Sequence, residues 1–108
     1  MPSSRSYLDF VLEQLSDLSP EITFRPMMGE YILYYKGKIF GGIYDDRLLV
    51  KPVKSAAAMM PHAVKELPYA GGTPSFPVEN IDDATFLCEL VKAMYEELPA
   101  PKGKTRKN

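Results

Sequence analysis

The sequence has one cysteine, one histidine, no tryptophan and no long apolar run. A single cysteine excludes an internal disulfide, and no stretch approaches the roughly 18 apolar residues of a membrane-spanning helix. The first ten residues, MPSSRSYLDF, lack the apolar block of a secretory signal and the arginine-rich composition of a transit peptide. We therefore expect a cytoplasmic protein without membrane contact.

Motifs that carry chemistry are also scarce. His62 and Cys88 lie far apart in the chain, without the spacing of a metal site or a cysteine–histidine nucleophile. The glycine pair Gly41–Gly42 belongs to no phosphate-binding pattern, and we expect it to permit a close backbone approach or a bend. Paired acids are expected at a turn and at helix ends. The sequence thus favours a protein that is not an enzyme and that has no cofactor and no metal.

The composition is that of one globular domain. The chain has 108 residues, of which 45% are hydrophobic and 25% charged, enough for one core without disulfides. The last seven residues carry four basic side chains and no acid; the rest has nine basic and fourteen acidic residues, a net charge of −5. We expect a domain over residues 1–98 and a disordered basic tail over 99–108. The acidic body opposes nucleic-acid binding.

Apolar periodicity predicts an α+β fold. Leucine and valine recur at helical spacing from Leu8 to Leu18, and a second apolar helical face runs from Phe86 to Leu98 after the caps Asn80, Asp82 and Asp83. Between these helices, runs with period-2 character predict four strands over 22–28, 31–35, 39–44 and 48–53, then a short helix over 55–60 and a possible strand over 75–78. The proline- and glycine-rich segment 68–77 is a candidate flap or packing arm.

Turn residues predict the register of the strands. Lys36–Gly37 and Asp45–Asp46 are plausible two-residue turns, which would place Leu33 opposite Phe40 and Phe40 opposite Lys51. The predicted core face then comprises Ile32, Tyr34, Ile39, Gly41, Ile43, Leu48 and Val50. The predicted outer face comprises Tyr31, Leu33, Tyr35, Lys38, Phe40, Gly42, Tyr44, Arg47, Leu49 and Lys51. Gly29 and Gly37 are expected at positive φ.

The predicted outer face mixes aromatic and basic side chains. Its candidate binding residues are Tyr31, Tyr35, Lys38, Phe40, Tyr44, Arg47 and Lys51. Such a face suits a protein partner or a homodimer interface. The alternative is stacking on the bases of a nucleic acid or on a planar anionic ligand, with the basic residues holding phosphates. The charge of the body favours the protein interface.

One stretch has the pattern of a known family. It runs from Arg25 to Lys51 and contains R-x-M-hydrophobic-G at Arg25 to Gly29, Y-x-x-G at Tyr34 to Gly37, and L-x-x-K at Leu48 to Lys51. The pattern residues are Arg25, Met27, Gly29, Gly37, Phe40, Leu48 and Lys51. The chain resembles the TfoX (Sxy) N-terminal domain family, as a stand-alone, divergent member with Met28 where the family commonly has phenylalanine.

The resemblance implies a two-layer α/β sandwich of the secretion-chaperone-like order α-β(3-4)-α-β-α. Helices would cover one face of an antiparallel meander. It also implies a regulatory or protein-interaction role in bacterial transcriptional control of the competence type. The family has no catalytic motif that could be carried onto positions of this sequence.

Overall fold

The computed structural model of the protein describes residues 4–68 and 72–99. Three helices and five strands follow one another as α1 (Arg5–Gln14), β1 (Ile22–Met27), β2 (Glu30–Tyr35), β3 (Lys38–Ile43), β4 (Leu48–Val50), α2 (Lys54–Met59), β5 (Phe76–Pro77) and α3 (Ala84–Met94). The strands pair antiparallel in sequence order, so β1 and β5 are the edges. This confirms the predicted α+β two-layer architecture and its element order. Except for Pro99, the predicted tail lies outside the described residues.

Side-chain caps begin the two long helices. The hydroxyl of Ser4 accepts a hydrogen bond from the backbone N–H of Tyr7 at 3.2 Å, and the carboxylate of Asp83 accepts one from Phe86 at 3.0 Å. Each cap satisfies a donor that the first helical turn leaves unpaired. Beyond the caps, the apolar stripes of α1 and α3 are buried against the sheet.

Three tight hairpins connect the first four strands. The central residues of all three turns have positive φ: Met28 and Gly29 at 53° and 87°, Lys36 and Gly37 at 51° and 84°, and Asp45 and Asp46 at 55° each. Positive φ at both central positions is the mark of the type I′ turn, whose twist matches that of the flanking strands. The predicted turns and the predicted positive φ of Gly29 and Gly37 are confirmed.

A β-bulge between β2 and β3 makes the predicted pairing of Leu33 with Phe40 wrong, whereas the predicted β3–β4 register is confirmed, with the N–H of Lys51 bonded to the carbonyl oxygen of Phe40. Tyr34 pairs with Ile39 as two-residue turn geometry requires, but Leu33 pairs with Gly41, so Phe40 is an extra residue in β3. Gly41 allows the bulge at this position because it has no β-carbon. A β-carbon there would lie 2.2 Å from the carbonyl oxygen of Leu49, which is too close. A bulge shifts the alternation of side chains by one position, so the two ends of β3 follow different phases.

The predicted faces must be corrected accordingly. Ile43, Leu48 and Val50 lie in the core as predicted, each at most 1% exposed. The prediction is wrong for Ile32, Tyr34 and Ile39, which lie on the other face, and wrong for Leu33, Tyr35 and Phe40, which are buried beneath the helices. Both faces of β2 are apolar, so hydrophobic alternation by itself does not identify the core side of that strand.

Ile43→Ala tests the corrected packing. Ile43 is fully buried, so we expect the substitution to lower the free energy of unfolding by about 2 to 4 kcal/mol in urea titrations. Ile39→Ala is the matched control, because Ile39 is 36% exposed on the opposite face, and its cost should be clearly smaller. Equal losses for the two variants would contradict the assignment of faces.

Candidate interaction surface on the open sheet face

The candidate site is the sheet face on which none of the described helices packs, called here the open face. Strand register defines it. One cross-strand row contains Arg25, Ile32, Gly42, Leu49 and Pro77, and the neighbouring row contains Thr23, Tyr34 and Ile39. Partners in a row project from the same side of a sheet, because cross-strand neighbours share a face.

The centre of the open face is apolar and partly accessible. Ile32 and Tyr34 are half-buried, and Ile39 is exposed. Gly42 leaves room for an aromatic ring, since a β-carbon there would lie 2.7 Å from ring atoms of Tyr44. These side chains form a mixed aliphatic and aromatic surface.

The β4 end of the open face is covered by the chain itself. Leu49 is only 1% exposed although it does not belong to the main core cluster. Strand alternation places Arg47 on the same side, and its guanidinium binds the carboxylate of Glu66 at 2.5 Å and the carbonyl oxygen of Tyr44 at 3.2 Å. The segment after α2 therefore closes this end, and the accessible part lies over β1, β2 and β3.

Basic groups border the accessible part. Arg25 is exposed next to Ile32, and among the described residues its guanidinium has no hydrogen-bond or ion-pair partner. Lys51 is half-buried, and its backbone N–H donates to the carbonyl oxygen of Phe40 at 2.9 Å. Lys51 follows the last residue of β4, and alternation continued from Val50 predicts that its side chain lies on the open face.

The structure places four of the predicted binding residues on the helix side. Phe40 is fully buried, and Tyr35 is buried edge-on against Tyr95 with ring centroids 5.5 Å apart. Tyr31 packs against Phe24 with centroids 5.9 Å apart. The ammonium group of Lys38 lies 4.2 Å from the centroid of the Tyr95 ring and donates to the Tyr95 carbonyl oxygen at 3.2 Å. The prediction that these four residues belong to an exposed binding face is wrong.

Of the other three predicted residues, Tyr44 and Arg47 lie on the open face, and Lys51 is expected there. The structure adds residues that the predicted register had assigned to the core, namely Ile32, Tyr34 and Ile39, and brings Arg25 of the family pattern beside them. The signal that could have found them is the glycine pair Gly41–Gly42, because glycine within a strand pattern often marks a bulge. Whether the face binds a partner stays a prediction.

Reactive groups are not assembled into a catalytic arrangement in the described part of the chain. The buried thiol of Cys88 donates to the carbonyl oxygen of Gln14 at 3.6 Å, and His62 is exposed after α2. Residues 4–68 and 72–99 contain no group of three or more histidine, cysteine or acidic side chains able to hold a metal ion.

None of the helices described is both long and apolar enough to cross a bilayer.

The fold and surface define a class of protein: a two-layer α+β domain with helices on one face of its sheet. Among the described residues it has no assembled reactive centre. Comparison with known families identifies it further. The TfoX N-terminal domain matches residues 13–97, and the chain belongs to that family.

A relative from Spirochaeta aurantia, named "Uncharacterized 12.7 kDa protein in trpE 5′ region", is 29% identical over 110 residues. The match covers 99% of this chain and 93% of the relative. No solved structure gives a significant match.

The environment of Cys88 predicts low thiol reactivity. Burial disfavours the thiolate and raises the pKa of Cys88. We expect its modification by a disulfide reagent at neutral pH to be much slower in the native protein than in urea, and to accelerate only above the pH at which a free cysteine ionises. A native rate equal to that of the unfolded chain would contradict this burial.

Proposed function

We propose that this protein is a non-enzymatic regulatory domain that acts by binding a protein partner through the open face, in bacterial transcriptional control of the competence type. The single observation that carries the proposal is the accessible apolar centre formed by Ile32, Tyr34 and Ile39, on the sheet face on which none of the described helices packs. Membership of the TfoX N-terminal domain family supports the regulatory class.

The chemistry of the open face suits a protein partner. Protein interfaces combine an apolar and aromatic centre with a polar rim, and arginine and tyrosine are enriched in them. Here Tyr34 lies beside two isoleucines, with Arg25 and Lys51 at the border. A carboxylate of the partner could pair with the exposed guanidinium of Arg25 while its apolar side chains cover Ile39.

A second candidate is binding of a nucleic acid or a planar anionic ligand. It is favoured by the rings of Tyr34 and Tyr44 on the same face as Arg25 and Lys51, since bases stack on aromatic rings and basic side chains hold phosphates. The net charge of −5 on the chain without its last seven residues opposes this reading. The two candidates differ in salt dependence, because phosphate contacts weaken steeply with added salt.

Ile39→Glu tests the proposed function. A charge at the centre of the apolar patch should disrupt a protein interface, whereas the fold should persist because Ile39 is already 36% exposed. In a native-host strain lacking the gene, we expect wild-type protein to restore the transcripts altered by the deletion and Ile39→Glu to fail.

Val64→Glu is the matched control. Val64 is a β-branched residue that is 76% exposed after α2, outside the apolar centre formed by Ile32, Tyr34 and Ile39, so this variant should restore the transcripts. Circular dichroism must show that both variants are folded. Full activity of Ile39→Glu would rule out the open face as the functional surface. Binding of a fluorescent oligonucleotide that is lost in Ile39→Glu and weakens with salt would favour the second candidate.

A further inference from the structure

The outer edge of β1 pairs with no other strand of the described residues, and it presents few donors. The backbone N–H of Lys36 donates to the carbonyl oxygen of Glu21 at 3.0 Å, so the odd-numbered residues of β1 bond inward to β2. Hydrogen-bonding directions alternate along a strand, so the groups of Ile22, Phe24 and Pro26 point outward. Pro26 has no N–H, and the available outward donors of β1 are therefore those of Ile22 and Phe24.

An apolar groove accompanies this edge. It has a volume of about 390 Å³ and lies between α1 and β1, lined by Leu12, Leu15, Ser19, Ile22, Thr23 and Phe24. Ile22 and Phe24 are only partly buried against the core. The groove and the free edge form one continuous surface, because the same two residues belong to both.

We propose that β1 pairs antiparallel with β1 of a second copy about a two-fold axis at Thr23. In this register Ile22 lies opposite Phe24 of the partner copy, and each such pair exchanges two backbone hydrogen bonds. The two outward donors and the two outward acceptors of each edge are thus satisfied. The ladder stops at Pro26, which has no N–H that could be left unpaired. The side chains of Ile22 and Phe24 meet their counterparts on the helix side and close the two grooves.

Charge complementarity singles out this register. The same pairing places Glu21 of each copy opposite Arg25 of the other, on the sheet face that also carries Thr23. Both side chains are exposed, and neither has a hydrogen-bond or ion-pair partner among the described residues. Opposite charges directly across an antiparallel pair are stabilising, and the two-fold axis makes two such pairs. Thr23 meets its own copy at the axis, which is also a favourable cross-strand pair.

Edge pairing of this kind joins two sheets into one of ten strands. The axis at Thr23 is perpendicular to the sheet, so the two open faces lie on the same side and form one surface of double width. Self-association through β1 leaves the apolar centre of the open face uncovered, because Ile39 lies on β3, away from the edge; Arg25 is the residue that both proposals use.

Charge reversal tests the register. We expect sedimentation equilibrium to show a wild-type dimer, and Glu21→Arg or Arg25→Glu to raise its dissociation constant about tenfold or more, since two attractive pairs become repulsive. The double variant E21R/R25E restores both pairs in reversed order and should dimerise like wild type. A monomeric wild type, single variants that dimerise normally, or a double variant that is not restored would each overturn the proposal.

A cross-linking experiment tests the axis independently. Thr23 would form a non-hydrogen-bonded pair with its own copy, in which α-carbons lie about 4.5 Å apart, within the range that a disulfide bridges. Thr23→Cys should therefore oxidise to a covalent dimer.

Thr85→Cys is the matched control, because Thr85 is also exposed but lies in the first turn of α3. Both variants keep the buried Cys88, so any cross-linking through that thiol contributes equally to the two rates. Rapid cross-linking of Thr23→Cys and not of Thr85→Cys supports pairing at β1. Equal rates for the two variants would overturn it.

Discussion

The β-bulge at Phe40 is the constraint on which the arrangement of this molecule depends. The extra residue lets Phe40 enter the core while Ile43, three positions later, also faces the helices. It requires glycine next to it, since the backbone of β4 approaches Gly41 too closely for any β-carbon. Without the bulge, β3 could not bury both residues, because a regular strand alternates its side chains strictly.

The bulge also decides how the aromatic and basic residues are used. Tyr35 and Lys38 form a row on the helix side, where both contact Tyr95 at the end of α3. Lys38 thereby places a positive charge near helix carbonyls, a position that stabilises a helix end. These side chains connect the β2–β3 hairpin to α3, which is a structural role. Tyr34 lies on the open face instead.

No helix or strand of the described residues packs on the accessible part of the open face or pairs with the outer edge of β1, and these two surfaces differ in kind. The open face offers accessible side chains, with an isoleucine and tyrosine centre beside Arg25, whereas the edge of β1 offers backbone groups and a groove. A sheet covered by helices on one side only has both features, because it is neither closed into a barrel nor covered by a layer on its other side. In a regulatory domain, the edge of β1 would serve self-association and the apolar centre of the open face would bind a partner.

Much of the fold could be predicted from local sequence. The hairpins follow from turn residues such as Lys36–Gly37, the long helices from caps and apolar spacing, and the family from the pattern between Arg25 and Lys51. These features depend on residues a few positions apart, whose conformational preferences act locally. The tertiary structure decided which face of β2 is buried. Leu33 and Ile32 are equally apolar, and only the packing of Phe40 beside the glycines, against the helices, determines which of them enters the core.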